Sequence, residues 1–466
     1  MSSQRLPAFL RTPLTDRDLQ APRALTGILV ATLATLLICV PVWPGLMSYD
    51  SLLAYRQSID GVEIADWPPM HDYLFYLSRR LTGGPGGLLA AQNFVLFFSA
   101  SLIISMFARS RWQHLLGFAL FVASCFYFPT LLGTLIVNWK DVPLASFGLL
   151  AIAFWLLAVR HSSRLMLTLV AVALTIALSV RLNSLPLLLP FLMLALLRPT
   201  GERRRDDRTI AAIVVVASIA IAYMSTMWRL PDLKRLPPLG HTFKGVQLWD
   251  LIGTSACAGT SLLPPAYSGQ GALSVDELRA IYDPRHVDLT MLHRDGIKPL
   301  PTPADDSSAE LAQAWRAAIR DHPICYLHHR QRVFEYQMGL ADHVFLPTHA
   351  GIDANAYGIS FRHPEAAAAR INSVASGAEA WLRRPFWLYI LAAIVTLLTV
   401  NGRKRSAPVA IALGLGAVLY AATFFFLAPA ADARYIFPSN IFCALLLAIA
   451  LASLELRRGA IAPMAA

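Results

Sequence analysis

A chain of 466 residues that is 56% hydrophobic and only 15% charged falls outside the ordinary soluble class, whose members carry about 25% charged residues. Its net charge of +11 comes from 40 basic and 29 acidic residues. No basic run is interleaved with aromatics, so the excess excludes a nucleic-acid footprint and fits arginines in the loops of a polytopic membrane protein.

The N-terminal stretch "MSSQRLPAFLRTPLTDRDLQAPR" bears Arg5, Arg11, Arg17 and Arg23 and runs into an apolar segment with no small-residue cleavage site after it. It reads as a cytoplasmic tail (1–23) before an anchor, not as a cleaved signal peptide. Ten apolar spans follow, at about 24–46, 87–108, 113–136, 141–159, 165–180, 184–198, 209–228, 386–400, 407–427 and 436–455, in windows suited to crossing roughly 30 Å of hydrocarbon. The fold class expected is therefore an all-α polytopic membrane protein with about ten transmembrane helices and a mostly helical extracytoplasmic domain.

Charges between spans set the orientation. Arg109 and Arg111, Arg160 and Arg164, "RPTGERRRDDR" (198–208), "GRKR" (402–405) and "ELRRG" (455–459) all fall on the side of the N-terminal tail. The positive-inside rule puts that side, with both termini, in the cytoplasm. The domain reading is a transmembrane module over 24–228 with a first outer loop at 47–86, an outer domain over 229–385, C-terminal spans over 386–455 and a cytoplasmic tail at 456–466. The outer domain is Pro-rich at first and then predicts helices over 307–323, with Ser308 as N-cap, and 324–340.

Cys39, Cys125 and Cys443 fall inside apolar spans and read as small core hydrophobes. Cys257 and Cys325 share the large outer loop and are disulfide candidates in an oxidising compartment. Nine of twelve histidines lie in that loop, but the adjacent His328 and His329 face different sides of a helix, so no metal site is expected.

The residues suited to chemistry lie where spans meet the outer face. Asp50 opens the first outer loop in "GLMSYDSLL", Lys140 and Asp141 lie in "VNWKD", Arg181 and Asn183 in "VRLNS", and Arg434 and Tyr435 in "DARYIFP". Each alone is an ordinary snorkelling or loop residue. Together they offer carboxylates that can take a proton and cations that can hold a phosphate. His71, in "WPPMHDYLFYL", is a further candidate substrate contact, although Met70, Tyr73, Leu74, Leu77 and Leu81 at helical spacing equally make it the polar edge of a helix lying along the membrane.

These motifs, in this order and on one side, resemble the GT-C glycosyltransferases, which include oligosaccharyltransferases, protein O-mannosyltransferases and lipid A aminoarabinose transferases. "MSYDS" resembles their acidic residue after the first span, "NWKD" the acidic residue of the second outer loop, and "RY" a late motif of the family. The resemblance covers roughly the first 230 residues and the last outer turn. It does not extend to an Asp-Glu pair after span one or a "WWD"-type signature, which argues against a protein acceptor.

The resemblance implies a multi-pass protein of the bacterial inner (plasma) membrane that moves a sugar from a polyprenyl-phosphate lipid to an extracytoplasmic glycan or lipid by direct, inverting displacement. Asp50 is then the expected base, with Asp141 the alternative. Lys140, Arg181, Arg434 and Tyr435 are expected on the phosphate, and His71 and Asn183 near the substrate. No cofactor is implied, since that many cations beside a monophosphate do not require a metal. The rival readings are a transporter or flippase of a lipid-linked sugar and a non-catalytic envelope-assembly subunit.

Overall fold

The computed structural model describes residues 19–61, 63–64, 68–181, 183–197, 212, 214–222, 235–236, 242–268, 273–287, 308–402 and 404–454. The arginine-bearing stretches 1–18, 198–211 and 455–466, residues 288–307 of the loop expected outside, and half of the span expected over 209–228 lie outside them.

The described chain is helical; its one two-stranded pairing joins Glu63–Ile64 to Arg235–Leu236 over two residues each. The first helix, α1 (Ala24–Cys39), carries no charge, and Leu25, Leu29, Leu33, Leu36 and Leu37 are exposed along it. Exposed leucines on an uncharged helix mark a face that meets lipid. Its other face packs on α4 (Gly86–Phe107), with Gly27 lying against Phe98 and Ser101. Between these two lie α2 (Tyr49–Asp60) and the amphipathic α3 (Met70–Thr82), on which Tyr73, Tyr76, Leu77 and Leu81 are exposed.

Next come α5 (Arg111–Tyr127), α6 (Pro129–Leu135), α7 (Asp141–His161), α8 (Arg164–Val180) and α9 (Leu185–Leu197). The C-terminal part adds α15 (Phe386–Asn401), α16 (Ala407–Leu427) and α17 (Phe437–Ala452), preceded by α14 (Pro364–Glu379). The last helix packs on α4, α5, α7, α15 and α16, so the N- and C-terminal helices form one bundle around a shared core.

The spans differ from the sequence reading in two ways. Among the described residues, five segments are long and apolar enough to cross a membrane: Ala24–Val42, Gly86–Phe107, Asp141–His161, Ala407–Leu427 and Ala433–Ala452. The helices α8, α9 and α15 are apolar but shorter. The single span expected over 113–136 is instead the pair α5 and α6, bent by 91°. The cause is local: Pro129 opens α6, and the residue before it, Phe128, adopts an extended backbone with ψ 103°, as residues before proline tend to. The chain is a multi-pass membrane protein with fewer full-length spans among the described residues than the expected ten.

The segment expected to form the outer domain, so called below, is mostly helical among its described residues. Here α10 (Thr242–Ala258), α11 (Val275–Ile281), α12 (Ser308–Asp321) and α13 (Pro323–Met338) enclose a core that includes Leu251, Ile252, Leu278 and Leu311. Cys257 on α10 is bonded to Cys325 on α13. Trp249, Val333 and Met338 belong to the core of the bundle itself, so this domain is packed into the membrane part and does not hang from it.

Candidate active site

The segment between α1 and α2 is clamped by backbone hydrogen bonds on both sides. Leu46 N–H donates to Ile136 O (3.0 Å) and its carbonyl accepts from Asn138 N–H (3.1 Å). Met47 N–H donates to Gly351 O (3.1 Å) and its carbonyl accepts from Asp353 N–H (2.9 Å). Gly45, at φ +105°, makes the turn into this segment, and a Cβ there would stand 2.7 Å from Asn138 Nδ2. Side chains finish the lock: Trp139 Nε1 donates to Ser48 Oγ (2.8 Å) and Ser51 Oγ to Asn138 O (2.9 Å). "MSYDS" and "VNWKD", about 90 residues apart in sequence, therefore share one rigid unit.

This unit gathers five charged residues from four helix ends at one end of the bundle. Asp50 lies in the first turn of α2, Lys140 just before α7, Asp141 at its first position, Arg181 at the C-terminal end of α8, and Arg434 ahead of α17. Carboxylates at helix N-termini and a guanidinium at a C-terminus each sit favourably in the helix dipoles. Arg434 Nη1 pairs with Asp50 Oδ2 at 2.8 Å and its Nε with Asp432 Oδ2 at 3.1 Å. Its guanidinium lies over the Trp139 ring, 4.6 Å from the centroid, and 5.1 Å from that of Tyr435. Arg181 pairs with Asp141 and lies over the rings of Phe424 and Tyr435, which are themselves stacked.

Exposure separates the two candidate bases. Asp50 keeps 30% of its side-chain surface open, whereas Asp141 keeps 1%. A ligand can reach the first and not the second.

Burial pushes the Asp50 carboxyl up, but Arg434, Lys140 and Arg181 together outweigh it and hold it below the ordinary aspartate range. For Asp432 burial wins and the carboxyl is raised despite Arg434. Lys140 is pushed down to about 8, by burial first and then by Arg181, with Asp50 and Asp141 opposing. His71 is pushed down to about 3 by burial and by Lys140, so it is neutral at physiological pH. It is buried against Phe75, and its Nε2 has no hydrogen-bond partner among the described residues.

Asp50, Lys140, Asp141, Arg181, Arg434 and Tyr435 thus come together, and the charges of Asp50 and Lys140 reach His71. Tyr435 does so through its ring, packed against both arginines. Asn183 instead hydrogen-bonds Thr423 on α16 (3.4 Å), pinning the turn after Arg181. His328 is exposed while its neighbour His329 is buried. Among the described residues, no cluster of His, Cys, Asp and Glu suited to a metal ion forms.

Sequence reasoning passed over Asp432, although "DAR" set it two residues from Arg434, and Trp139, an indole inside "NWKD" that reads as one more interfacial aromatic. It also passed over Tyr420, whose hydroxyl accepts from Arg181 (3.4 Å) out of an otherwise apolar helix.

The fold and site define an all-helical, multi-pass membrane protein with a balanced acid–base cluster at one end of its bundle. Comparison with known proteins finds no matching family model and no matching curated protein. Solved structures of ArnT from Cupriavidus metallidurans are similar to this chain, one bound to undecaprenyl phosphate and one in the apo state. Each is 13% identical with a TM-score of 0.34, and the matches cover 92% of this chain and 77% and 76% of those chains. A likeness of that degree assigns no activity by itself.

Proposed function

We propose that the protein is a membrane glycosyltransferase that moves a sugar from a polyprenyl-phosphate lipid to a hydroxyl acceptor. The observation that carries this is the open Asp50 carboxylate, paired with Arg434 and flanked by Lys140 and Arg181, at the end of an apolar bundle. A polyprenyl phosphate has the matching form: an apolar tail for the lipid-facing helices, and an anionic head joined to a sugar at the membrane boundary.

In this reading the acceptor hydroxyl attacks the anomeric carbon as the bond to the phosphate oxygen breaks, which inverts that carbon. Asp50 takes the hydroxyl proton, and the phosphate leaves with the bonding electron pair. Arg434 and Lys140 meet the charge that develops on it, as preorganised donors should. Paired with Arg434, Asp50 is a poor base. A phosphate that draws Arg434 and Lys140 to itself removes the two charges that most hold Asp50 down, so donor binding prepares the base. Neutral His71, with an unused buried Nε2, suits a sugar hydroxyl better than a phosphate.

The test is purified protein supplied with radiolabelled polyprenyl-phosphate sugars and a panel of glycan and lipid acceptors. Covalent transfer of label is expected, slowed by about 10²–10⁴-fold in Asp50→Asn. Movement of intact donor across a proteoliposome membrane with no transfer would favour a flippase instead.

A further inference from the structure

A buried polar network outside the site lies in the domain expected on the outer face. Asp250 on α10 and His329 and Arg330 on α13 are each at most 1% exposed. Asp250 Oδ2 accepts from Arg330 Nη2 (2.7 Å) and Trp315 Nε1 (2.7 Å), while its Oδ1 stands 3.0 Å from His329 Nε2. Tyr282 Oη lies 2.8 Å from His329 Nδ1. The Cys257–Cys325 bond joins the same two helices and fixes their register.

Burying an arginine this deeply is costly unless its nitrogens are satisfied. Arg330 directs one toward Asp250 and another, Nη1, to the carbonyl of Ala428 (2.8 Å), the residue that ends α16. A cation donating to a helix's last carbonyls satisfies orphan acceptors and suits the dipole.

That contact is one of five on a single strip of chain. Val287 N–H donates to Pro429 O (3.2 Å), Ala431 N–H to Arg285 O (2.7 Å) and Ala433 N–H to Phe345 O (3.3 Å). Gln337 Nε2 donates to Asp432 O (3.4 Å). Residues 428–433 are thus gripped along their length by the outer domain, and they carry Asp432 and lead directly into Arg434.

We infer that Arg330 is a positioning residue for the reaction: anchored on Asp250, it holds the end of α16 so that the 428–433 strip presents Arg434 to Asp50. The inference rests on the transferase reading for its kinetic arm, but not for its structural arm.

Arg330→Lys keeps the charge beside Asp250 but lacks the fork that reaches two acceptors at once. Amide exchange over 428–434 is expected to speed up while exchange over 86–107 stays unchanged. Turnover should fall on the order of 10²-fold, the cost of roughly 1 Å of misplacement, with kcat affected more than donor KM. In an Arg434→Lys background the same change should cost little more, because contacts that act as a unit are non-additive. An equal fold-loss in both backgrounds, or unchanged exchange over 428–434, would overturn the assignment. Should Arg330→Lys fail to fold, Gln337→Met, which removes only the contact to Asp432 O, carries the same exchange and double-mutant comparison. A wild-type protein that transfers no sugar would sink the transferase reading and leave exchange to decide the clamp.

Discussion

Two aspartates that the sequence places in similar settings, each at the outer end of an apolar span, have different surroundings and should fail differently. Asp141 is buried in its pair with Arg181. Asp141→Asn leaves that guanidinium uncompensated, and removing one partner of a buried pair costs about 3–5 kcal/mol. The expected outcome is a marked loss of thermal stability in detergent along with activity. Asp50 is partly open, and its partner Arg434 keeps Asp432. Asp50→Asn should therefore cut turnover by about 10²–10⁴-fold, the usual contribution of a general base, with stability near wild type. Equal stability losses in the two variants would erase the distinction. Lys140 gives the site a pH signature. With its ammonium pushed down to about 8, it is cationic at neutral pH and discharges as pH rises through that value. If its charge holds the donor phosphate, kcat/KM for donor falls above pH 8. Lys140→Arg, which does not titrate there, should flatten that limb, and an identical alkaline limb in the variant would clear Lys140 of the role.

At the scale of elements, what was legible followed from local chemistry, and what was not depended on packing across long separations. The apolar spans were readable because hydrocarbon thickness dictates their length. The bend between α5 and α6 was readable only in part: Pro129 signals a break, but uninterrupted apolarity on both sides conceals it. The site's charged residues were legible because ions at the ends of apolar helices stand out. Asp432, Trp139 and Tyr420 were not: Trp139 depends on the bonds that join 45–48 to 136–139, Asp432 on the contacts that hold 428–433, and Tyr420 on its hydrogen bond with Arg181. Nor was the Asp250–Arg330 network, whose members look like solvated residues of amphipathic helices until α10 and α13 meet. The two loop cysteines were visible, and their bond closes a sequence separation of 68 residues. Cys257→Ser with Cys325→Ser is expected to lower stability by about 2–4 kcal/mol, read as a lower melting temperature of the outer domain. A melting temperature unchanged both by the double variant and by reductant would show that helix packing alone sustains this pair.

For the whole molecule, the bundle separates two kinds of end. One gathers Asp50, Asp141 and Asp432 with Lys140, Arg181 and Arg434, a set that balances itself. The other carries Arg109 and Arg111 at the α4–α5 turn, Arg160 and Arg164 at the α7–α8 turn, and Lys404 and Arg405 at the α15–α16 turn, with no acidic residue in those turns. Unbalanced arginine resists translocation, so the second end should be cytoplasmic and the site, with the disulfide-bearing domain, outside. Single-cysteine labelling checks this directly, because Cys39, Cys125 and Cys443 are buried and the remaining two are bonded to each other. Exposed Ser360, in the loop that clamps Met47, and exposed His161, at the α7–α8 turn, report on opposite ends. Ser360→Cys should react with a membrane-impermeant maleimide in intact cells, and His161→Cys only after permeabilisation. The reverse pattern would place the cluster on the cytoplasmic side. The acceptor would then be a cytoplasmic molecule, while the pairing of Asp50 with Arg434, which is set by the fold and not by the membrane's polarity, would stand.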